Sequence, residues 1–179
     1  MNRLLDDDRK KLLPPDTVLQ HLELGPEHSV ADIGCGPGYF SLPMARMARR
    51  VYAVDVSEEM LDVLKRRADE AGVENIEPIQ ALADRIPLQD ASVDRILCAF
   101  VLHEVDDLPR TLAEFRRLLG PDGKLMVIEW DKKPMEMGPP EHERIEMTEL
   151  SKRMEEAGFH TECWDLNPYH YVVLARRMG

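Results

Sequence analysis

The chain is expected to fold as an α/β domain in which a mostly parallel sheet is wrapped by helices and edged by an antiparallel hairpin. Two observations carry that expectation. Short runs rich in Val and Ile, nearly continuous in apolar character as strands buried on both faces are, alternate with stretches whose apolar residues recur every three or four positions. The chain also has 179 residues, 44% of them apolar, which is the size of one domain with a full core. A single domain over 1–179 is expected, with a tail and cap helix over 1–25 and the α/β core over 26–179.

Residues 1 to about 13 are charged with few apolar positions and are expected to be mobile, and a helix follows over 15–24. Strands are read at 29–33, 51–55, 75–80, 93–99 and 124–130. Between the second and third, Ser57 can cap a helix whose first turn carries Glu58 and Glu59, with Met60, Leu61, Leu64 and Ala68 as its buried stripe and Gly72 as its end. A further helix spans 108–119, with Pro109 tolerated in its first turn and Leu108, Leu112, Phe115 and Leu119 on one face. Gly120-Pro121-Asp122-Gly123 is read as the turn into the fifth strand. Residues 132–143, with three prolines and Gly138, form a long loop. A last helix over 147–157 ends at Gly158, and strands at 159–165 and 169–175 flank Asn167-Pro168 as the edge hairpin.

Composition excludes several classes. The longest apolar run is seven residues, Ile96 to Leu102, against the roughly 20 that a membrane-spanning helix requires. The N-terminus turns acidic before any apolar stretch develops, so no secretory signal is read and a cytoplasmic location is expected. With 23 basic and 34 acidic residues the net charge is −11, which opposes binding to nucleic acid. Cys35, Cys98 and Cys163 are an odd, widely spaced set, read as reduced thiols. His160 and Cys163 would point to opposite faces of a strand, and no metal is expected.

The residues that most invite a ligand are Asp32-Ile33-Gly34-Cys35-Gly36-Pro37-Gly38, where the first strand runs into the next helix. Glycines permit turn dihedrals and close backbone approach, and a helix N-terminus offers unpaired amides. Asp55 ends the second strand about 20 residues downstream, where a carboxylate can accept both hydroxyl hydrogen bonds of a ribose. The dinucleotide fingerprint places a small residue three positions after the second glycine. Here that position is Tyr39, and the bulky ring argues against a pyrophosphate.

Four segments in this order resemble the class I S-adenosylmethionine-dependent methyltransferases, of the small-molecule type similar to quinone-biosynthesis C-methyltransferases. They are residues 30–38, 54–61, 86–94, and Leu102-His103-Glu104-Val105 with 114–125. The resemblance implies a Rossmann-like, doubly wound, seven-stranded sheet in the order 3-2-1-4-5-7-6 with helices on both faces. It implies S-adenosylmethionine as cofactor, with S-adenosylhomocysteine as product. Gly34, Cys35, Gly36 and Gly38 would wrap its methionine part, with Asp32 near the ammonium group and Phe100 bordering. Asp55 would take the ribose, Val56 and Met60 the adenine, and Ala83 would offer its amide to the ring. Many relatives carry a polar residue where this chain has Leu82, so either that adenine contact is absent or Asp84 supplies it.

Methyl transfer from a sulfonium is an in-line displacement, and the protein mainly holds both partners at near-attack distance and excludes water. A base is needed only for an acceptor that arrives protonated. His103 and Glu104, after the fourth strand, are the candidates; the alternatives are a structural hydrogen bond for His103 and a cap or solvated charge for Glu104. Glu129 and Asp131 would share one strand face and Trp130 the other; either carboxylate, Glu129 or Asp131, is a candidate substrate contact, and so is Trp130, alternatively in the core. The expected function is methyl transfer to a C, O or N atom of a small organic acceptor; the competing readings are a non-catalytic S-adenosylmethionine-binding regulatory or partner subunit, and a nicotinamide-dependent reductase. The short cap leaves the site open, which suits a large acceptor, a partner protein or closure as a homodimer.

Overall fold

The computed structural model of the chain describes residues 7–179. Strands β1 (Ser29–Ile33), β2 (Arg50–Asp55), β3 (Ile76–Gln80), β4 (Val93–Ala99), β5 (Leu119–Trp130), β6 (Phe159–Asn167) and β7 (His170–Arg177) form one sheet in the order β3-β2-β1-β4-β5-β7-β6. The first five run parallel, and β7 is antiparallel to both β5 and β6. The helices are α1 (Asp7–Leu12), α2 (Pro15–Leu19), α3 (Ser41–Ala45), α4 (Glu58–Glu70), α5 (Leu108–Leu118) and α6 (Met147–Glu156).

Strand alternation divides the core between two faces. Ala31, Ile33, Val54, Ile96, Val127 and Val173 pack against Leu112 and Phe115 of α5 and Leu150 and Met154 of α6. Their neighbours Val30, Val51, Leu97, Met126 and Val172 pack against Val18 and Leu19 of α2 and Met44 of α3, while Ala53 meets Leu61 and Leu64 of α4. Phe115 and Phe159 are fully buried, and full burial of such a side chain is worth roughly 1.5–3 kcal/mol.

The expected Ser57 cap forms, and α5 starts on a second side-chain cap. Ser57 Oγ accepts from the Met60 amide at 3.3 Å, and Asp107 accepts from the Arg110 amide at 2.9 Å. In the hairpin turn, Asn167 Oδ1 accepts from the amides of Tyr169 and His170.

Three local expectations change. The segment 120–123, read as a turn before β5, lies inside that strand as an irregularity in its pairing with β4: Val93 pairs Leu119, and the next partners are Arg95 and Lys124. No helix starts directly after the glycine loop, since turns over 37–40 intervene and α3 has five residues. The tail expected to be mobile lies outside the described residues over 1–6, but from Asp7 it is the helix α1.

α1 is followed by two anchors that join distant parts of the chain. Tyr39 donates its hydroxyl proton to the Leu13 carbonyl at 2.7 Å, and Asn167 Nδ2 donates to the Leu12 carbonyl at 2.9 Å. Each bond is worth about 1 kcal/mol net. Tyr39→Phe and Asn167→Ala are therefore each expected to speed amide hydrogen exchange in α1 about fivefold while leaving β1 and β4 unchanged.

Candidate functional site

All five parallel strands point their carboxyl ends toward one open cavity of about 1450 Å³, the position at which open α/β sheets bind ligands. At its centre the Asp55 carboxylate, at the end of β2, accepts the Gly36 amide at 2.8 Å on one oxygen and the Ser57 amide at 2.9 Å on the other. These bonds join the glycine loop to the N-terminus of α4. A carboxylate has about four acceptor positions, so two remain for a ligand.

The loop needs its glycines. Gly34 has φ +69, and a Cβ there would stand 2.1 Å from Val101 Cγ2; Gly38 has φ +89, and its Cβ would stand 2.2 Å from Leu64 Cδ1. Gly38 thus serves packing against α4 and is absent from the cavity wall, whereas Gly34, Cys35 and Gly36 line it. Burial pushes the Cys35 thiol well up, which fits a filler rather than a nucleophile.

Val56, Met60, Leu82 and Ala83, expected from the sequence to meet the adenine, all line the cavity. Val56 is 60% exposed and Leu82 62% exposed, apolar surface that a bound ring would cover. Asp84 lines the cavity too, with its carboxylate 3.2 Å from Arg110 Nε.

Asp32, at 2% exposure, accepts a 2.5 Å hydrogen bond from Ser41 Oγ. Burial pushes its carboxyl up to about 7, against the pull of Ser41. Arg9 of α1 reaches over the same region, its guanidinium 4.4 Å from the Tyr39 ring centre and 5.8 Å from that of Phe100. Arg9 carried no signal in the sequence, because only the fold brings it to the end of β1.

After β4, Phe100 adopts φ +62, unusual for a side chain of this size, while its amide donates to Ile128 O at 2.8 Å. His103 follows in a turn of 3-10 helix over 102–104. Its Nδ1 lies 2.8 Å from Oε2 of Glu129, which is 1% exposed, and its amide donates to the same carboxylate. Burial lowers the His103 pKa, but the hydrogen bond and charge of Glu129 outweigh it, and the net shift is upward. With Nδ1 committed to Glu129, Nε2 is left on the Glu104 side, 3.7 Å from its carboxylate. Glu104 itself is a largely exposed rim residue.

Trp130 lines the cavity, half-buried. Asp131 does not: its carboxylate pairs with Lys133 Nζ at 2.7 Å, because strand alternation sends it to the face opposite Trp130. The loop over 132–143 is strapped down by buried Arg144, whose guanidinium donates to the carbonyls of Asp131, Lys133, Met137 and Pro139. It presses Gly138 onto Trp130, where a Cβ would come within 2.7 Å of the indole. His170 and Tyr169, at the hairpin, complete the wall; neither was singled out in the sequence, since the pairing of β5 with β7 is what carries them there.

The family described as a methyltransferase domain matches residues 31–127. The chain is 34% identical over 142 residues to the ubiquinone/menaquinone biosynthesis C-methyltransferase UbiE of Cupriavidus pinatubonensis, covering 76% of this chain and 57% of that one. It is 32% identical over 112 residues to the uncharacterized methyltransferase YcgJ of Bacillus subtilis, covering 63% and 44%. The chain spans about half the length of these curated relatives. A crystal structure of a SAM-dependent methyltransferase from Aquifex aeolicus superposes with a TM-score of 0.91 at 30% identity, covering 98% of this chain and 95% of that one. The chain belongs to the methyltransferase-domain family and has the seven-stranded sheet of the class I fold.

The burial of Asp32 makes stability depend on pH. Its raised pKa means the folded protein keeps a proton that the unfolded chain has lost, so its contribution to stability falls as pH rises from about 4 to about 7. Asp32→Asn is expected to raise the thermal midpoint by several degrees at pH 8 and by little at pH 4.5, read by calorimetry.

Proposed function

We propose that the chain transfers a methyl group from S-adenosylmethionine to a C, O or N atom of a small organic acceptor. One observation carries the reading: a single cavity holds both the glycine and Asp55 cradle and a histidine whose Nδ1 is fixed by a buried carboxylate. S-adenosylmethionine, when bound, supplies a methyl group made electrophilic by its sulfonium. The residues present fit that ligand. Asp55 retains acceptor positions for ribose hydroxyls, Val56 and Leu82 offer uncovered apolar surface to the adenine, and Asp32 offers a carboxylate to the ammonium group. Gly34, Cys35 and Gly36 let the backbone approach the methionine part, with Phe100 at its border.

For an acceptor that arrives protonated, His103 takes the proton on Nε2 as the new bond to carbon forms, and the carboxylate of Glu129 balances the imidazolium that results. Glu129 also fixes the ring so that Nε2 rather than Nδ1 is the free base. A histidine oriented by a buried carboxylate is suited to proton transfer, and this geometry favours an enzyme.

Transfer of a tritiated methyl group to a panel of phenols, amines and activated carbon acids tests the reading. Against an acceptor that turns over, His103→Gln is expected to lower kcat about 10²–10⁴-fold, with the dissociation constant for S-adenosylhomocysteine within about twofold of wild type. Glu129→Gln removes the charge that keeps His103 basic, so the acid limb of the pH–rate profile moves to lower pH. Full turnover in His103→Gln would remove His103 from the chemistry.

A further inference from the structure

The part of the cavity formed by the ends of β4, β5 and β7 is walled by rings. Trp130 and His170 are register partners across the β5–β7 ladder, their ring centres 4.4 Å apart. Phe100 lies 4.9 Å from His170 and 5.4 Å from Trp130, at the tilted and edge-on angles that aromatic pairs favour. His170 is 2% exposed, and neither of its ring nitrogens has a hydrogen-bond partner. A neutral imidazole carries one donor and one acceptor, and leaving both unmade in a dry wall is costly. Among the described residues, two other buried side-chain polar atoms lack partners, Ser92 Oγ and Arg116 Nε, and neither residue lines the cavity. The unmet hydrogen-bonding capacity thus coincides with the place where a ligand arrives.

We propose that His170 is a specificity-determining contact for the methyl acceptor, its imidazole holding a hydroxyl or amine of that molecule while Phe100 and Trp130 take its flat apolar body. The inference rests on the methyltransferase reading and names a residue through which that site selects its acceptor. Burial, and then the charge of Arg9, push the His170 pKa down to about 4, so the ring stays neutral and able to accept a hydrogen bond at neutral pH. The two histidines of the cavity are thereby differentiated. His103 is held basic by Glu129 to take a proton, whereas His170 is held neutral to recognise a polar group.

His170→Phe keeps a ring and removes both nitrogens, and His170→Gln returns a donor and an acceptor. Each variant and the wild type are titrated with S-adenosylhomocysteine, and the loaded proteins then with 2-naphthol and with 2-methylnaphthalene, which has the same shape without the hydroxyl. Wild type is expected to prefer 2-naphthol by about tenfold, the Phe variant to lose that preference, and the Gln variant to recover part of it, with S-adenosylhomocysteine affinity within about twofold throughout. Long-range proton–nitrogen spectra of wild type supply the same reading without a substitution: 2-naphthol is expected to shift a His170 ring nitrogen and 2-methylnaphthalene to leave it in place. No preference in wild type, a preference kept in the Phe variant, or His170 resonances indifferent to 2-naphthol would overturn the inference while leaving the cofactor reading intact. Loss of S-adenosylhomocysteine binding in a folded His170→Phe protein would overturn it by assigning the ring to the cofactor. Failure of wild type to bind S-adenosylhomocysteine would bring down both readings.

Discussion

The Asp55 carboxylate accepts two backbone amides at once, and the rest of the site is arranged around that pair of bonds. Gly36 lies in the loop that leaves β1, and Ser57 at the start of α4. Joining them fixes the two crossovers of the central strands relative to one another, and the Gly34 and Cys35 amides add to the tie by donating to Val54 O. The positive φ angles of Gly34, Gly36 and Gly38 follow from that geometry, because the chain must turn back sharply to bring an amide onto the end of β2. A charged acceptor is suited to this role: hydrogen bonds to a carboxylate are roughly twice as strong as neutral ones.

The second organising element is the alternation of side chains at the ends of β4, β5 and β7. Glu129 turns to the α5 and α6 face and meets His103 in the turn after β4, while Trp130 turns to the other face with His170 and Phe100. One strand end therefore supplies, through side chains of opposite parity, both an anchor for acid–base chemistry and a flat wall for recognition in the same cavity. The left-handed backbone at Phe100 fits this arrangement, since strained residues persist where surrounding structure over-determines them and cluster at ligand sites. Arg144 holds the loop that closes over Trp130 by satisfying four of its carbonyls, which explains how a segment rich in Pro and Gly remains ordered enough to form a wall.

The strands and the helix starts were legible because their signals are local, and the order of the sheet followed from the resemblance. Val and Ile runs mark the strands, Ser57 caps α4 as read, and the spacing of Gly34, Gly36 and Asp55 corresponds to the tie that forms between them. What was not legible depends on contacts between distant residues. Arg9 comes from a segment with weak apolar patterning, held by Tyr39 and Asn167, far apart in the chain. Glu129 could be placed on a face by parity, but nothing local shows that His103 awaits it there. His170 reads as an ordinary strand residue until β7 pairs with β5. The irregularity at 120–123 was missed because its glycines and proline signal a turn equally well outside a strand and inside one.

The tie between Gly36 and Asp55 suits S-adenosylmethionine rather than a dinucleotide. The most direct measurement is a calorimetric titration of wild type and Asp55→Ala with S-adenosylhomocysteine and, separately, NADH. Wild type is expected to bind S-adenosylhomocysteine at micromolar concentration and NADH not measurably, with a loss of affinity of tenfold or more in Asp55→Ala, as expected for losing charge-assisted hydrogen bonds worth about 1.5–3 kcal/mol. Preference for NADH, or S-adenosylhomocysteine binding that is indifferent to Asp55→Ala, would contradict it.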